Sequence, residues 1–392
     1  MKETWRWFGP DDTVSLDNIL QAGASGVVTA LDHIETGQIW PIKDIDERNT
    51  LIKSAGLEWS VVESVPVHHD IKTRSGSFQN YIENYKQSIR NIGSVGISTI
   101  CYNFMPILDW TRTDLSFSLP NRSQALRFDM IDFATYDVFI LQRDGAAKDY
   151  SEEILAKAGD RIHDLNDEDA LRLEKNIIAG LPGGEGSYDR SGLSQMLSTF
   201  DMIDRDSYQT NLHEFLESII PVAEESGVRM AIHPDDPPFS LFGLPRVVST
   251  ADDLKSILDV FPSPSNGITF CSGSLGTRAD NDLLSMVREF GANIFFVHLR
   301  NIIRQPNGSF HESEHLNGMV DMVSLVKELI TQERKQNRAG KKQLIPMRPD
   351  HGHTMASELG NRNIRPGYSF CGRMKGLAEL RGVSRAISGV DV

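Results

Sequence analysis

Short apolar runs suited to strands alternate along this chain with longer stretches whose apolar residues recur three and four apart. The first strand is predicted over residues 5–9 (WRWFG). A helix over 11–22 follows after an aspartate cap, with Val14, Leu16, Ile19 and Leu20 on one face. Residues 26–31 (GVVTAL), 57–67 (LEWSVVESVPV) and 96–105 (GISTICYNFM) read as three more strands, separated by helices over 45–55 and 77–92. Then the rhythm breaks. Between 109 and 206 no clean alternation holds: 110–127 is polar and turn-rich, 151–175 is helical and highly charged, and 179–186 (AGLPGGEG) is a loop. That loop follows no strand and precedes no Lys-Ser/Thr pair, so it does not match a phosphate-binding fingerprint. From Tyr208 the alternation resumes, with helices near 208–225, 252–260, 280–290 and 319–332 and strands running to His233, Cys271, His298 and Asp350.

Eight strands alternating with helices predict an α/β fold, a (β/α)₈ TIM barrel forming a single domain over 1–392. Residues 109–206 are expected to be a large insertion after strand four that covers the active site. In such a barrel the site lies at the C-terminal ends of the strands, and four ends here carry the same kind of signal. Residues 228–238 (VRMAIHPDDPP), 267–276 (GITFCSGSLG), 294–301 (IFFVHLRN) and 344–353 (LIPMRPDHGH) each run from apolar residues into ionisable ones. His233, Cys271, His298 and Asp350 offer imidazole, thiolate and carboxylate, the ligand types that bind a divalent transition metal. Side-chain alternation places Arg348 on the face of Asp350 and Arg300 on the face of His298, so both arginines are candidates for binding a small anion.

A chain of 392 residues, 40% apolar and 24% charged, is an ordinary globular one. Its net charge of −14 argues against nucleic acid and anionic membranes as partners, and leaves a small-molecule substrate. The opening MKETWRWFGPDD lacks the apolar core of a signal peptide, and no apolar run approaches the ~18 residues of a membrane span. A cytoplasmic protein is expected. Three cysteines without a CxxC fit a reducing compartment and leave Cys271 available as a ligand; Cys101 and Cys371 are read as packing residues.

Residues 311–315 (HESEH) match the zincin pattern, which requires a helix to bring its histidines together. Here the match follows a PNGS turn and lacks an apolar face, so it is read as a loop coincidence. His68 and His69, at the end of strand three, are candidates either for substrate contact or for solvent-exposed positions behind the site; His33, His163 and His213 read as surface residues.

Six stretches in order carry a resemblance: residues 101–115 (CYNFMPILDWTRTDL), HPDDPP, CSGSLG, FVHLRN, RPDHGH and PGYS at 366–369. Together they resemble mannonate dehydratase, and the similarity runs from WRWFGPDD to the GRMKGLAELRG tail. The resemblance implies a xylose-isomerase-like barrel that dehydrates D-mannonate to 2-keto-3-deoxy-D-gluconate in hexuronate breakdown, using Mn²⁺ or Fe²⁺. It assigns His233, Cys271, His298 and Asp350 to the metal, and proton transfer to His351 and Tyr368. Imidazole titrates near neutrality, which suits His351 as base, and an ordinary tyrosine near pH 10 suits Tyr368 as acid. Arg348 joins them, with Arg348 or Arg300 as the candidate group for carboxylate charge and Arg300, Asn103 and His68 as candidate substrate contacts. A divalent-metal sugar isomerase on the same barrel is the alternative, though it would favour carboxylate-rich ligation. A closed structural zinc site would not set ionisable residues beside its ligands. The oligomeric state stays open, a homodimer included.

Overall fold

The computed structural model of the protein describes residues 1–178, 189–340 and 344–389; the Gly-rich stretch 179–186 lies outside them. Twelve strands are β1 (Lys2–Arg6), β2 (Gly26–Thr29), β3 (Glu58–Glu63), β4 (Thr99–Tyr102), β5 (Asp114–Ser118), β6 (Gln124–Phe128), β7 (Arg229–Ile232), β8 (Asn266–Cys271), β9 (Ile294–His298), β10 (Asn301–Arg304), β11 (Phe310–Ser313) and β12 (Pro346–Arg348). Eight of them close a parallel barrel in the order β1-β12-β9-β8-β7-β4-β3-β2. Each barrel strand is followed by a helix, from Leu16–Gln21 after β1 to Phe370–Gly389 after β12, so the expected (β/α)₈ architecture is present.

Alternation along the barrel strands decides which side chains reach the site. Val27, Val62, Ile100, Phe270, Val297 and Met347 point outward into the large core shared with the helices. Their neighbours Val28, Val61, Cys101 and Phe296 form a separate buried cluster within the barrel. Two residues on from this inner layer the strands end, and the same parity sends Glu63 and His298 inward. Arg6, Cys271 and Arg348 also flank outward-facing residues at strand ends. Cys101 is therefore a packing residue, as expected.

The connections hold the differences from the sequence reading. Helix Leu16–Gln21 is capped by Ser15, whose side chain accepts from the Asn18 amide in a capping box, while Asp12 instead closes the preceding turn by accepting from the Phe8 and Val14 amides. The polar stretch 110–127 is not simply turns. It forms the β5–β6 hairpin, which joins β11 and β10 in a four-stranded antiparallel sheet. β5 reads Asp-Leu-Ser-Phe-Ser, an alternation with only two apolar positions, too short to stand out within a polar, turn-rich stretch. Residues 152–178 form two helices, Glu152–Asp164 and Asp167–Ile178, matching the helical reading there. Among the described residues no helix is long and apolar enough to cross a membrane.

Candidate active site

At the C-terminal mouth of the barrel, side chains from five strand ends converge on one cavity. Arg6, Glu63, Asn103, His233, Arg348, Asp350, His351 and Tyr368 line it, with Asp109 and Trp110 from the segment after β4. The donor atoms of His233, Cys271 and His298 lie within 4.8 Å of one another. Asp350 lies beside them, its Oδ2 3.8 Å from Cys271 Sγ and its Oδ1 3.9 Å from His298 Nδ1. Ligands sharing one ion at ~2.0–2.3 Å sit at about these mutual distances, and the mixture of two imidazoles, a thiolate and a carboxylate suits a first-row divalent metal.

The imidazoles are braced from behind. His233 Nδ1 lies 2.6 Å from the Pro234 carbonyl, which holds the proton on Nδ1 and leaves Nε2 facing His298 Nδ1 at 3.1 Å. On the far side of His298, Nε2 lies 3.3 Å from Glu63 Oε1. Such outer partners orient metal-binding histidines. Asp350 reaches the group by an unusual route. β12 stops at Arg348, and Asp350 adopts a left-handed backbone with φ +63° beyond it, so strand alternation does not deliver its carboxylate. Arg348 Nη1 donates to Asp350 Oδ1 at 2.6 Å, and Arg300 Nε lies 2.8 Å from Oδ2. Burial opposes ionisation of Asp350, but Arg348 and the neighbouring histidines outweigh it and hold its carboxyl well below the usual range.

Arg300 belongs to neither the cavity wall nor a strand. It lies between β9 and β10, fully engaged beneath the site with Asp236, Glu312, Asp350 and Ser274. Arg348 does line the cavity, yet its guanidinium is taken up by Glu63 at 3.0 Å, Asp350 and His298. Asn103 lines the cavity; His68 does not. The His68 ring stacks on Tyr81 at 3.7 Å and its Nδ1 caps helix His69–Thr73 by accepting from the Asp70 amide.

Beside the metal-type cluster runs a chain of three groups. Glu312 Oε1 accepts from His351 Nδ1 at 2.6 Å, and His351 Nε2 lies 3.2 Å from the Tyr368 hydroxyl. His351 Nε2 is also 3.8 Å from Asp350 Oδ1, which joins the chain to the cluster. Burial would raise the Glu312 carboxyl, but His351, Arg300 and Arg112 outweigh it and bring it down to about 2. Burial raises the Tyr368 phenol to about 12, so it is protonated at neutral pH.

Glu312, which completes this chain, escaped the sequence reading although it sits inside HESEH. That segment is β11, not a helix, so the zincin geometry is absent as expected, but the segment is not incidental. His311 packs against Phe117 at the outer sheet, whereas buried His315 lies with Nε2 2.7 Å from the Pro349 carbonyl. Arg112, Asp236 and Glu63 were missed as well; each is a single charged residue whose role comes from a long-range ion pair.

Comparisons with known proteins show the family. The profile of the D-mannonate dehydratase (UxuA) family matches residues 1–391. Mannonate dehydratase of Saccharophagus degradans is 59% identical over 388 residues, covering 99% of this chain and 98% of its own. The crystal structure of mannonate dehydratase from Streptococcus suis serotype 2 superposes with a TM-score of 0.79 at 33% identity, covering 100% of this chain and 96% of that one. A D-tagatose 3-epimerase-like protein, 13% identical with a TM-score of 0.53 over 100% of both chains, shares the fold alone. With a barrel mouth built from His, Cys, His and Asp beside a Glu–His–Tyr chain, and with kinship along its whole length, this protein belongs to the D-mannonate dehydratase family.

Proposed function

We propose that the protein removes water from D-mannonate to give 2-keto-3-deoxy-D-gluconate in cytoplasmic hexuronate breakdown, with Mn²⁺ or Fe²⁺ held by His233, Cys271, His298 and Asp350. One observation carries the reading: the Glu312–His351–Tyr368 chain ends in the cavity that His233 and Asp350 of that ligand set also line, and 3.8 Å separates His351 from Asp350. The residues fit the metal because the donors of His233, Cys271 and His298 lie within 4.8 Å of one another, Asp350 Oδ2 lies 3.8 Å from Cys271 Sγ, and both histidines have outer partners. When bound, the ion supplies Lewis acidity that lowers the cost of negative charge on substrate oxygens.

The chain's own groups move the protons. Glu312 holds the His351 proton on Nδ1, so Nε2 is the basic nitrogen and takes the proton from substrate C2. The C2–H electron pair forms the C2–C3 double bond as the C3–O bond breaks. Tyr368, neutral because burial lifts it to about 12, gives its proton to the departing C3 hydroxyl, which leaves as water. The 3.2 Å contact between His351 and Tyr368 then returns the abstracted proton to the phenolate, and the enol product ketonises by taking up a proton at C3. Arg348 and Arg300 keep Asp350 ionised and fixed. Asn103 is placed to bind a substrate hydroxyl, and residues 109–206 cover the site, a role supported by Asp109 and Trp110 in its wall.

The test is metal-reconstituted protein incubated separately with D-mannonate, D-altronate and D-xylose while a 2-keto acid is followed. Product from D-mannonate alone, or from it fastest, is the expected result. Ketose from D-xylose with no 2-keto acid from either sugar acid would overturn the reading in favour of an isomerase.

A further inference from the structure

We infer that Arg6 is the seat of the substrate's carboxylate, an assignment that rests on the dehydratase reading above. Arg6 ends β1 with the inward parity of the other strand-end groups, is 6% exposed, and lines the cavity. Its Nη1 donates to the Trp7 carbonyl at 3.1 Å, and its guanidinium carbon lies 4.4 Å from the centre of the Phe8 ring. Arginine has five N–H donors, and among the described residues no carboxylate forms an ion pair with Arg6; Glu63, held by Arg348 at 3.0 Å, feels the Arg6 charge only at longer range.

The other charges in the cavity wall are already balanced. Arg348 is shared by Glu63 and Asp350, Asp236 is held by Arg112 and Arg300, and Asp109 lies 3.5 Å from Lys72. Asp32 is exposed at the rim. Arg6 is thus the one cation of the wall without a carboxylate partner among the described residues. A buried guanidinium in that position is stabilised by an incoming carboxylate, which it can grip through two parallel hydrogen bonds. Bracing Phe8 does not explain the residue, because Arg365 covers the same ring at 4.7 Å.

The position also suits the chemistry. Phe8 meets Tyr368 edge-on, with ring centres 4.7 Å apart, so Arg6 lies one ring away from the proposed proton donor. A carboxylate gripped by Arg6 leaves C2 and C3, the next two carbons, to extend from there toward His351 and Tyr368.

The experiment measures kcat and KM for D-mannonate, and the competitive Ki of D-mannitol, in metal-loaded wild type, Arg6→Gln and Arg6→Lys. D-mannitol keeps the C2–C6 hydroxyls of D-mannonate and carries a CH2OH group in place of the carboxylate. Arg6→Gln should raise KM by about 10- to 100-fold with kcat within a few-fold of wild type, as expected for loss of a charge-assisted contact made equally in ground and transition states. The Ki of D-mannitol should not move, and Arg6→Lys should recover part of the loss. Normal wild-type turnover with unchanged KM in Arg6→Gln would overturn the assignment alone, as would a D-mannitol Ki that rises in step with KM. Wild type inert toward D-mannonate would overturn the dehydratase reading itself, and the assignment with it. Should Arg6→Gln fail to give native near-ultraviolet circular dichroism, Arg6→Lys decides. A several-fold rise in KM with unchanged D-mannitol Ki supports the two-point grip, and a wild-type KM refutes it.

Discussion

Replacing Glu312 with Gln probes both the stability and the chemistry of the site. The carboxylate is buried and accepts from His351 Nδ1 at 2.6 Å, Arg300 Nη1 at 2.7 Å and Arg112 Nη2 at 3.2 Å. In the folded protein it is held at about 2 against an ordinary 4.5; at about 1.4 kcal/mol per pH unit, that difference is worth on the order of 3 kcal/mol. Because the folded value is the lower one, this stabilisation is complete above pH 4.5 and disappears as the pH falls toward 2. Denaturant unfolding should therefore find Glu312→Gln about 3 kcal/mol less stable than wild type at pH 7, with the gap closing progressively below pH 4.5. The amide still accepts the His351 Nδ1 proton but no longer stabilises the imidazolium that forms when Nε2 takes the C2 proton. Turnover should fall by about 10²-fold or more in protein of normal metal content. A stability gap that stays constant from pH 7 to pH 3, or wild-type turnover in the folded variant, would refute the role given to this carboxylate.

Tyr368→Phe keeps the ring against Phe8 and deletes the proton donor, so kcat should drop ~10²–10⁴-fold while metal content and KM hold; wild-type turnover would make the tyrosine a wall residue. Cys271→Ser should lower metal content, measured by elemental analysis after dialysis, and leave the far-ultraviolet spectrum unchanged. Chelated wild type should regain activity with Mn²⁺ or Fe²⁺ better than with Mg²⁺, since a hard ion has little use for a thiolate; full recovery with Mg²⁺ would remove Cys271 from the ligand set. His311→Ala should be close to neutral. His315→Ala should lower stability by about 3 kcal/mol in thermal or chemical unfolding, because it leaves a cavity and an unpartnered Pro349 carbonyl; equal behaviour of the two variants would contradict their different surroundings.

The barrel was legible because its rhythm of apolar runs is local, and so was the group of His233, Cys271 and His298, since each ends or directly follows an apolar strand. What went unread traces to strand boundaries and to pairing across the chain. The first strand read as residues 5–9, which put Arg6 near its beginning; the actual strand, Lys2–Arg6, ends on it and so places it at the reactive face. The third strand read as 57–67, hiding Glu63 in its interior, whereas β3 ends there. Arg300 was assigned to the same strand as His298, but β9 stops at His298 and the backbone turns before β10, which carries the arginine beneath the cluster. Glu312 is the clearest case. Its partners are 39 and 200 residues away in sequence for His351 and Arg112, and no local pattern in HESEH points to them.

Proton removal at C2 and water loss at C3 are proposed to occur in the cavity lined by His351, Tyr368, His233 and Asp350. Incubating the metal-loaded protein with D-mannonate deuterated at C2, in ordinary water, tests it most directly by mass spectrometry and NMR of the product. The account predicts a 2-keto-3-deoxy acid whose C2 deuterium has gone to solvent and whose new C3 hydrogen is protium. Deuterium retained quantitatively at C3 would mean a direct shift between carbons without a protein base, and would contradict it.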